Sequence, residues 1–175
     1  MEKNMKKIST LVLCAAMSVP LLATAGPEMG DRSFSISGTG ASDNDFDGNT
    51  FGVSLELGTY ASDQLLWGVR QSLNGLAGDE VRDSWNGSTR VFADYHFGNS
   101  DFLPYVGANI GGIYGEDVSE TWTAGLETGL RYFVKPKTFI GFGVEYQFLF
   151  DDGDKIDSRF NNGAFFYTLG VGYNF

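Results

Sequence analysis

Seven charged residues lie inside segments that consist mostly of apolar, glycine and small hydroxyl residues. They comprise four acids and three arginines, Glu56, Arg70, Arg90, Asp94, Glu127, Arg131 and Glu145. Carboxylates and guanidiniums form strong hydrogen-bonded ion pairs, and charges that leave water must be paired to persist. The nearly neutral set therefore predicts a paired network. Such a network could gate a narrow water path by exchanging partners, or it could be a fixed polar core.

Few other residues offer reactive chemistry. The only histidine, His96, follows Asp94 by two residues, and no G-x-S-x-G, zinc-ligand or phosphate-loop pattern occurs. Residues 43–48, Asp-Asn-Asp-Phe-Asp-Gly, match the opening of a calcium-binding loop, but Ser54 stands where the bidentate glutamate is required. We therefore predict no enzyme, no cofactor and no specific metal site.

Eight segments of alternating apolar and polar residues position these groups. They cover approximately residues 32–40, 50–60, 64–73, 87–97, 102–114, 121–133, 138–150 and 163–175. Alternation with period two predicts β-strands. Three short connections (61–63, 98–101 and 134–137) alternate with four longer polar ones (41–49, 74–86, 115–120 and 151–162). This rhythm predicts an all-β, eight-stranded antiparallel up-and-down barrel.

The charged residues fall into two levels when counted from the short connections. The upper level, five to eight residues up the strands, holds Glu56, Arg70, Arg90, Glu127 and Glu145. At about 3.3 Å per residue these side chains share a layer near the middle of the barrel. Asp94, His96 and Arg131 lie lower. Because eight strands leave an interior just wide enough for side chains, we favour the fixed core over the gate.

The two faces of the strands differ in chemistry. In the seventh segment Ile140, Phe142 and Val144 alternate with Gly141 and Gly143. A water-soluble barrel would turn the apolar face inward and cover its exterior with Lys and Glu. Here glycine, serine and threonine dominate the polar face, which suits a narrow interior, while aromatic residues cluster near the strand ends as in membrane-interface girdles. We therefore predict a transmembrane barrel whose apolar face contacts lipid.

The N-terminal residues have the organisation of a secretory signal. Lys3, Lys6 and Lys7 precede an apolar run over residues 8–22, and Ala23-Thr24-Ala25 supplies a small-x-small cleavage site. We predict a cleavable signal peptide at 1–25, export, and one barrel domain at 26–175. The only cysteine, Cys14, would leave with the signal.

The last eight residues alternate up to the final aromatic, Phe175. They resemble the C-terminal signal by which outer-membrane barrels of Gram-negative bacteria are recognised for assembly. The polar, glycine and aromatic positions of that signal are held by Thr168, Gly170, Tyr173 and Phe175. The resemblance implies the barrel-assembly machinery as a partner.

The whole predicted mature chain resembles the eight-stranded outer-membrane barrels of the OmpA transmembrane-domain and OmpX type. Residues 104–107, Pro-Tyr-Val-Gly, are similar to a strand opening common in that superfamily. The resemblance implies location in a bacterial outer membrane, in contact with its lipid and lipopolysaccharide. No periplasmic domain follows the last strand, so peptidoglycan anchoring is not implied.

The longer connections are strongly acidic. The full chain has a formal charge of −10, and loss of three Lys and one Glu with residues 1–25 would leave −12, which argues against nucleic acid as a partner. Thirteen acids and three bases lie in these connections, and the densest clusters are Asp43, Asp45, Asp47, Asp151, Asp152 and Asp154.

Because loops on a rigid scaffold usually carry function, the first hypothesis is a non-enzymatic surface protein. It would serve envelope integrity, through divalent cations that bridge to lipopolysaccharide phosphates, or adhesion to a host or surface ligand. The alternative is a narrow, low-conductance porin-like channel gated by the interior charges.

Overall fold

Eight antiparallel strands form one closed barrel. The computed structural model describes residues 26–42, 49–75, 85–98, 101–115, 118–150 and 163–175. The strands are β1 (Arg32–Ser42), β2 (Asn49–Tyr60), β3 (Leu65–Gly75), β4 (Trp85–His96), β5 (Phe102–Gly115), β6 (Val118–Lys135), β7 (Thr138–Phe150) and β8 (Gly163–Asn174). Each pairs with its neighbours in chain order, and β8 pairs with β1. The predicted fold class is confirmed.

The largest boundary error concerns β6, which begins three residues earlier and ends two residues later than predicted. The predicted loop at 115–120 is wrong, since only residues 116 and 117 separate β5 from β6. The short connection predicted at 134–137 shrinks to Pro136 and Lys137. At these ends the alternation of apolar and polar residues in the sequence is too short to define a strand, while backbone pairing continues.

The apolar face of every strand points outward. On β6, Leu126 is 61% exposed, and on β8 Leu169 is 64% exposed, whereas the inward Arg70 of β3 is 3% exposed. Soluble monomers rarely expose apolar surface of this extent. The outward face therefore suits contact with lipid and not with water. In the described part of the chain, no helix has the length and hydropathy to cross a membrane.

Two aromatic belts bound this outward face. The belt near the short turns contains Trp67, Tyr95, Phe97, Phe102, Tyr132, Tyr173 and Phe175, and the opposite belt contains Phe51, Trp85, Tyr114, Trp122 and Phe150. In the first belt the rings of Phe102 and Tyr132 stack with centroids 4.5 Å apart. Aromatic residues at two levels, with Trp and Tyr in both, are typical of the two interfaces of a bilayer.

The start of β1 and the C-terminal residue meet at the short-turn end of the barrel. The Arg32 amide donates to the Phe175 carbonyl at 2.9 Å, and the Phe175 amide donates back at 2.8 Å. Residues 26–31 cross this end, where the Gly30 amide donates to the Tyr60 carbonyl at 2.8 Å and Asp31 pairs with Lys137 at 3.3 Å. The C-terminal residues thereby close the sheet against β1 and leave no unpaired edge.

Candidate functional site: the interior charge network

Arg70 is the centre of the interior network. Its Nε lies 2.7 Å from Glu56 Oε1, and its Nη1 lies 2.8 Å from Glu127 Oε2 and 3.4 Å from Glu145 Oε2. β3 presents Arg70 inward, and the three carboxylates come from β2, β6 and β7. One guanidinium therefore ties four strands together across the barrel.

Arg90 completes the upper part of the network. Its Nη1 forms a short ion pair with Glu145 Oε1, and its Nη2 donates to Ser72 Oγ at 3.4 Å. Asn109 Nδ2 donates to the same Glu145 oxygen at 3.0 Å. Glu145 thus accepts from two arginines and one amide, which is the rich pairing that a buried charge needs.

Arg131 links the two predicted levels. Its Nη2 lies 3.6 Å from Glu56 Oε2 and 3.7 Å from Asp94 Oδ2, and its guanidinium carbon is 4.7 Å from the centre of the Phe139 ring. Arg131 therefore joins Asp94 of the lower level to Glu56 of the upper level. A long arginine side chain spans the height between residues that a count along the strand places apart.

Glycines on the inward face make room for the carboxylates. A Cβ at Gly125 would lie 2.3 Å from Glu145 Oε1, and one at Gly107 would lie 2.1 Å from Asp94 Oδ1. The abundance of glycine on the polar face thus has a steric cause. Any larger residue at these two positions would displace an acid of the network.

Sequence reasoning singled out ionisable residues and missed the neutral groups that complete the network. Ser35 Oγ donates to Glu56 Oε2 at 3.0 Å, and Asn109 and Ser72 contact Glu145 and Arg90 as described above. The same alternation that placed the charges inward also places these residues inward. Counting all inward polar residues would have found them.

Apolar and aromatic side chains fill the barrel below the network. Tyr60, Leu66 and Phe92 form one buried cluster, and Leu103, Phe133 and Phe139 form another. A cavity of about 30 Å³ remains beside Glu56, Arg131 and Phe139. That volume has room for only a few water molecules. Among the described residues, the charge network crosses the barrel interior and these two clusters lie below it.

The His96 imidazole lies deep in the same lower half. It is fully buried, with its ring centre 5.6 Å from that of Tyr60 and 5.4 Å from that of Tyr105. Asp94 is equally buried. Neither side chain is exposed at the surface that the described residues form.

Within the described ranges, no group of three or more His, Cys, Asp or Glu residues is placed to hold a metal ion. The residues Asp43, Asp45, Asp47, Asp151, Asp152 and Asp154 lie outside the described part of the chain.

The predicted C-terminal signal residues occupy both faces of β8. Tyr173 and Phe175 point outward in the belt near the short turns, and Thr168 and Gly170 line the cavity beside Arg131. Recognition of these four residues during assembly stays a prediction.

A closed antiparallel barrel with an outward apolar face and a charged interior is the architecture of outer-membrane proteins. A family model described as "Outer membrane protein beta-barrel domain" matches residues 9–175. The chain belongs to this outer-membrane barrel family. The predicted family resemblance and the predicted location in a bacterial outer membrane are confirmed.

Solved outer-membrane barrels share this fold. Neisserial surface protein A matches with a TM-score of 0.64 at 18% identity, over 83% of this chain and 96% of its own. OprG of Pseudomonas aeruginosa matches with a TM-score of 0.56 at 14% identity, over 88% of this chain and 99% of its own. The N-terminal barrel of OprF from the same organism matches with a TM-score of 0.52 at 20% identity, over 84% of this chain and 100% of its own. A comparison with curated proteins gives no match.

These identities show a common fold and no more. A de novo designed transmembrane barrel also matches, with a TM-score of 0.51 at 20% identity, over 86% of this chain and 99% of its own. Because a barrel made by design shares the architecture, the fold by itself does not assign a function.

Proposed function

We propose that this chain is a non-enzymatic surface protein of the outer membrane, with a closed barrel that supports acidic outer loops. The filled interior is the observation that carries the proposal. The network around Arg70 crosses the interior, the apolar clusters lie below it, and the cavity beside Glu56 and Phe139 measures only about 30 Å³. A barrel that does not conduct would act through its surface loops, and loops on rigid scaffolds commonly carry binding functions.

The charge of the connections indicates the class of partner. Residues 43–48, 76–84, 116–117 and 151–162 hold twelve acidic and three basic residues. A surface of one sign attracts and steers molecules of the opposite sign. We therefore propose a basic protein or peptide as the partner in adhesion. Divalent cations that bridge the loops to lipopolysaccharide phosphates are the corresponding route to envelope integrity.

Neutralising the acidic loops tests this proposal. We expect the combined changes Asp43→Asn, Asp45→Asn and Asp47→Asn to weaken binding of a fluorescent oligolysine peptide to the protein in vesicles. The expected loss is on the order of tenfold at low salt, because electrostatic attraction raises association rates by about 10-fold or more. Added salt should weaken wild-type binding in the same direction.

A matched control removes the same charge from the other end of the barrel. Glu28, Asp63 and Asp101 lie at the short-turn end, and changing them to Gln, Asn and Asn leaves the outer loops untouched. This variant should bind the peptide like the wild type. Equal loss in both variants would contradict a role for the loops, and retention of lipopolysaccharide that requires Mg²⁺ would favour the envelope route.

A second candidate, a narrow channel, is favoured by one contact. Arg70 Nη1 reaches both Glu127 and Glu145, so exchange of its partner needs only a small movement. Conduction would also require the apolar clusters around Phe92 and Phe139 to move aside. Because both apolar clusters would have to move before ions could pass, we place the channel second.

A further inference from the structure

The interior network contains one acid more than its arginines can balance. Arg70, Arg90 and Arg131 face the carboxylates of Glu56, Glu127, Glu145 and Asp94. Each glutamate accepts at least one hydrogen bond from an arginine, Glu56 and Glu127 from Arg70 and Glu145 from Arg90. Three arginines and three glutamates are therefore electrically complete, and Asp94 is the surplus acid.

Asp94 is the least well paired member of the set. Its side chain has 0% exposure, and neither carboxyl oxygen has a hydrogen-bond partner among the described residues. The nearest cationic atom, Arg131 Nη2, is 3.7 Å away and also serves Glu56 at 3.6 Å. An ionised carboxylate offers about four acceptor sites, and leaving them unsatisfied out of water is costly.

The groups around Asp94 reinforce this imbalance. Glu56 on β2 and Glu127 on β6 bring negative charge toward it, and Arg70 on β3 and Arg131 on β6 bring positive charge that is already committed to glutamates. Its remaining titratable neighbour on the same strand face is His96. Three groups could balance the surplus negative charge. They are a proton on the Asp94 carboxylate, a proton on His96 and a bound cation.

His96 is the poorer place for that charge. Both ring nitrogens are buried without a hydrogen-bond partner, and the ring lies between the rings of Tyr60 and Tyr105. An imidazolium there would be a further buried cation close to the guanidinium of Arg131. A neutral carboxyl, in contrast, removes the unpaired charge with a single proton.

We propose that Asp94 is a proton-binding site, which holds a proton from solution in the folded barrel at neutral pH. The carboxylate takes up one proton and forms an O–H bond, and no other bond changes. The interior then contains three guanidiniums, three carboxylates and no net charge, and Arg131 pairs with Glu56 alone.

Infrared difference spectroscopy of the protein refolded in phospholipid vesicles tests this site directly. We expect the carbonyl stretch of a protonated carboxyl in the wild type at neutral pH, and its loss in Asp94→Asn. The matched variant Asp31→Asn removes a carboxylate at the rim of the barrel and leaves the charge balance of the interior network unchanged. It should keep the band, and Asp94→Asn should leave the urea midpoint of unfolding unchanged.

Each other outcome overturns the proposal in a defined way. Absence of the band in the wild type, with a large fall of the urea midpoint in Asp94→Asn, would show an ionised aspartate paired with Arg131. Absence of the band together with a histidine nitrogen spectrum typical of imidazolium would place the proton on His96. Absence of the band with stability that depends on Na⁺ or K⁺ but not on choline would identify a bound metal cation instead.

Discussion

Replacing Arg70 with methionine lowers the free energy of unfolding of the barrel in lipid vesicles by about 3–5 kcal/mol. The change removes the guanidinium that contacts Glu56, Glu127 and Glu145, all of which lie in the interior. Those carboxylates would remain buried with fewer donors, and an uncompensated buried charge is the main cost. Urea titration followed by tryptophan fluorescence and heat-modifiable gel mobility measures the loss.

The ion pair between Lys137 and Asp31 supplies the matched control. Its nitrogen–oxygen distance is 3.3 Å, comparable with those around Arg70, but the lysine side chain is substantially exposed at the rim of the barrel. We expect Lys137→Met to cost no more than about 1 kcal/mol, since solvent screens exposed pairs. Equal losses in the two variants would mean that the interior network contributes no more than a surface pair.

Replacing Leu126 with arginine should destabilise the barrel by about 2–4 kcal/mol in a bilayer. Leu126 lies between the belt residues Trp122 and Tyr132 of the same strand and points outward. A charged side chain at this height must leave water for hydrocarbon. The free energy of unfolding in vesicles, compared with the wild type, measures this cost.

Val134→Arg provides the comparison on the same strand face. Val134 also points outward, but it lies beyond Tyr132 near the end of β6, where the side chain reaches water. The expected cost there is about 0–1 kcal/mol. Similar values for the two variants would contradict a lipid-facing surface centred between the belts.

The sequence predicted the faces of the strands from period two, and the strand order from the alternation of short and long connections. Leu126 and Glu127 are neighbours in the chain, and alternation alone sends one outward and the other inward. Strand ends were less accurate. Residues 118–121 read Val-Ser-Glu-Thr, and so short a stretch with a single apolar residue does not separate a paired strand from a loop.

Contacts inside the barrel depend on more than the alternating pattern. Counting along β6 places Arg131 below the main layer, yet its guanidinium reaches Glu56 on β2 because strand stagger and side-chain length change the effective height. The role of Phe139 was not evident either. Its position on the inward face follows from alternation, but its contact with Arg131 follows only from the closed register of the sheet.

We propose that the interior does not conduct and that the barrel acts through its outer surface. Single-channel recording of the refolded protein in a planar bilayer tests it most directly, after heat-modifiable mobility confirms the folded barrel. We predict no discrete openings under applied voltage, because the Arg70 network and the clusters around Phe92 and Phe139 fill the lumen. Reproducible discrete openings of the correctly folded wild type would contradict the account and make the channel the leading function.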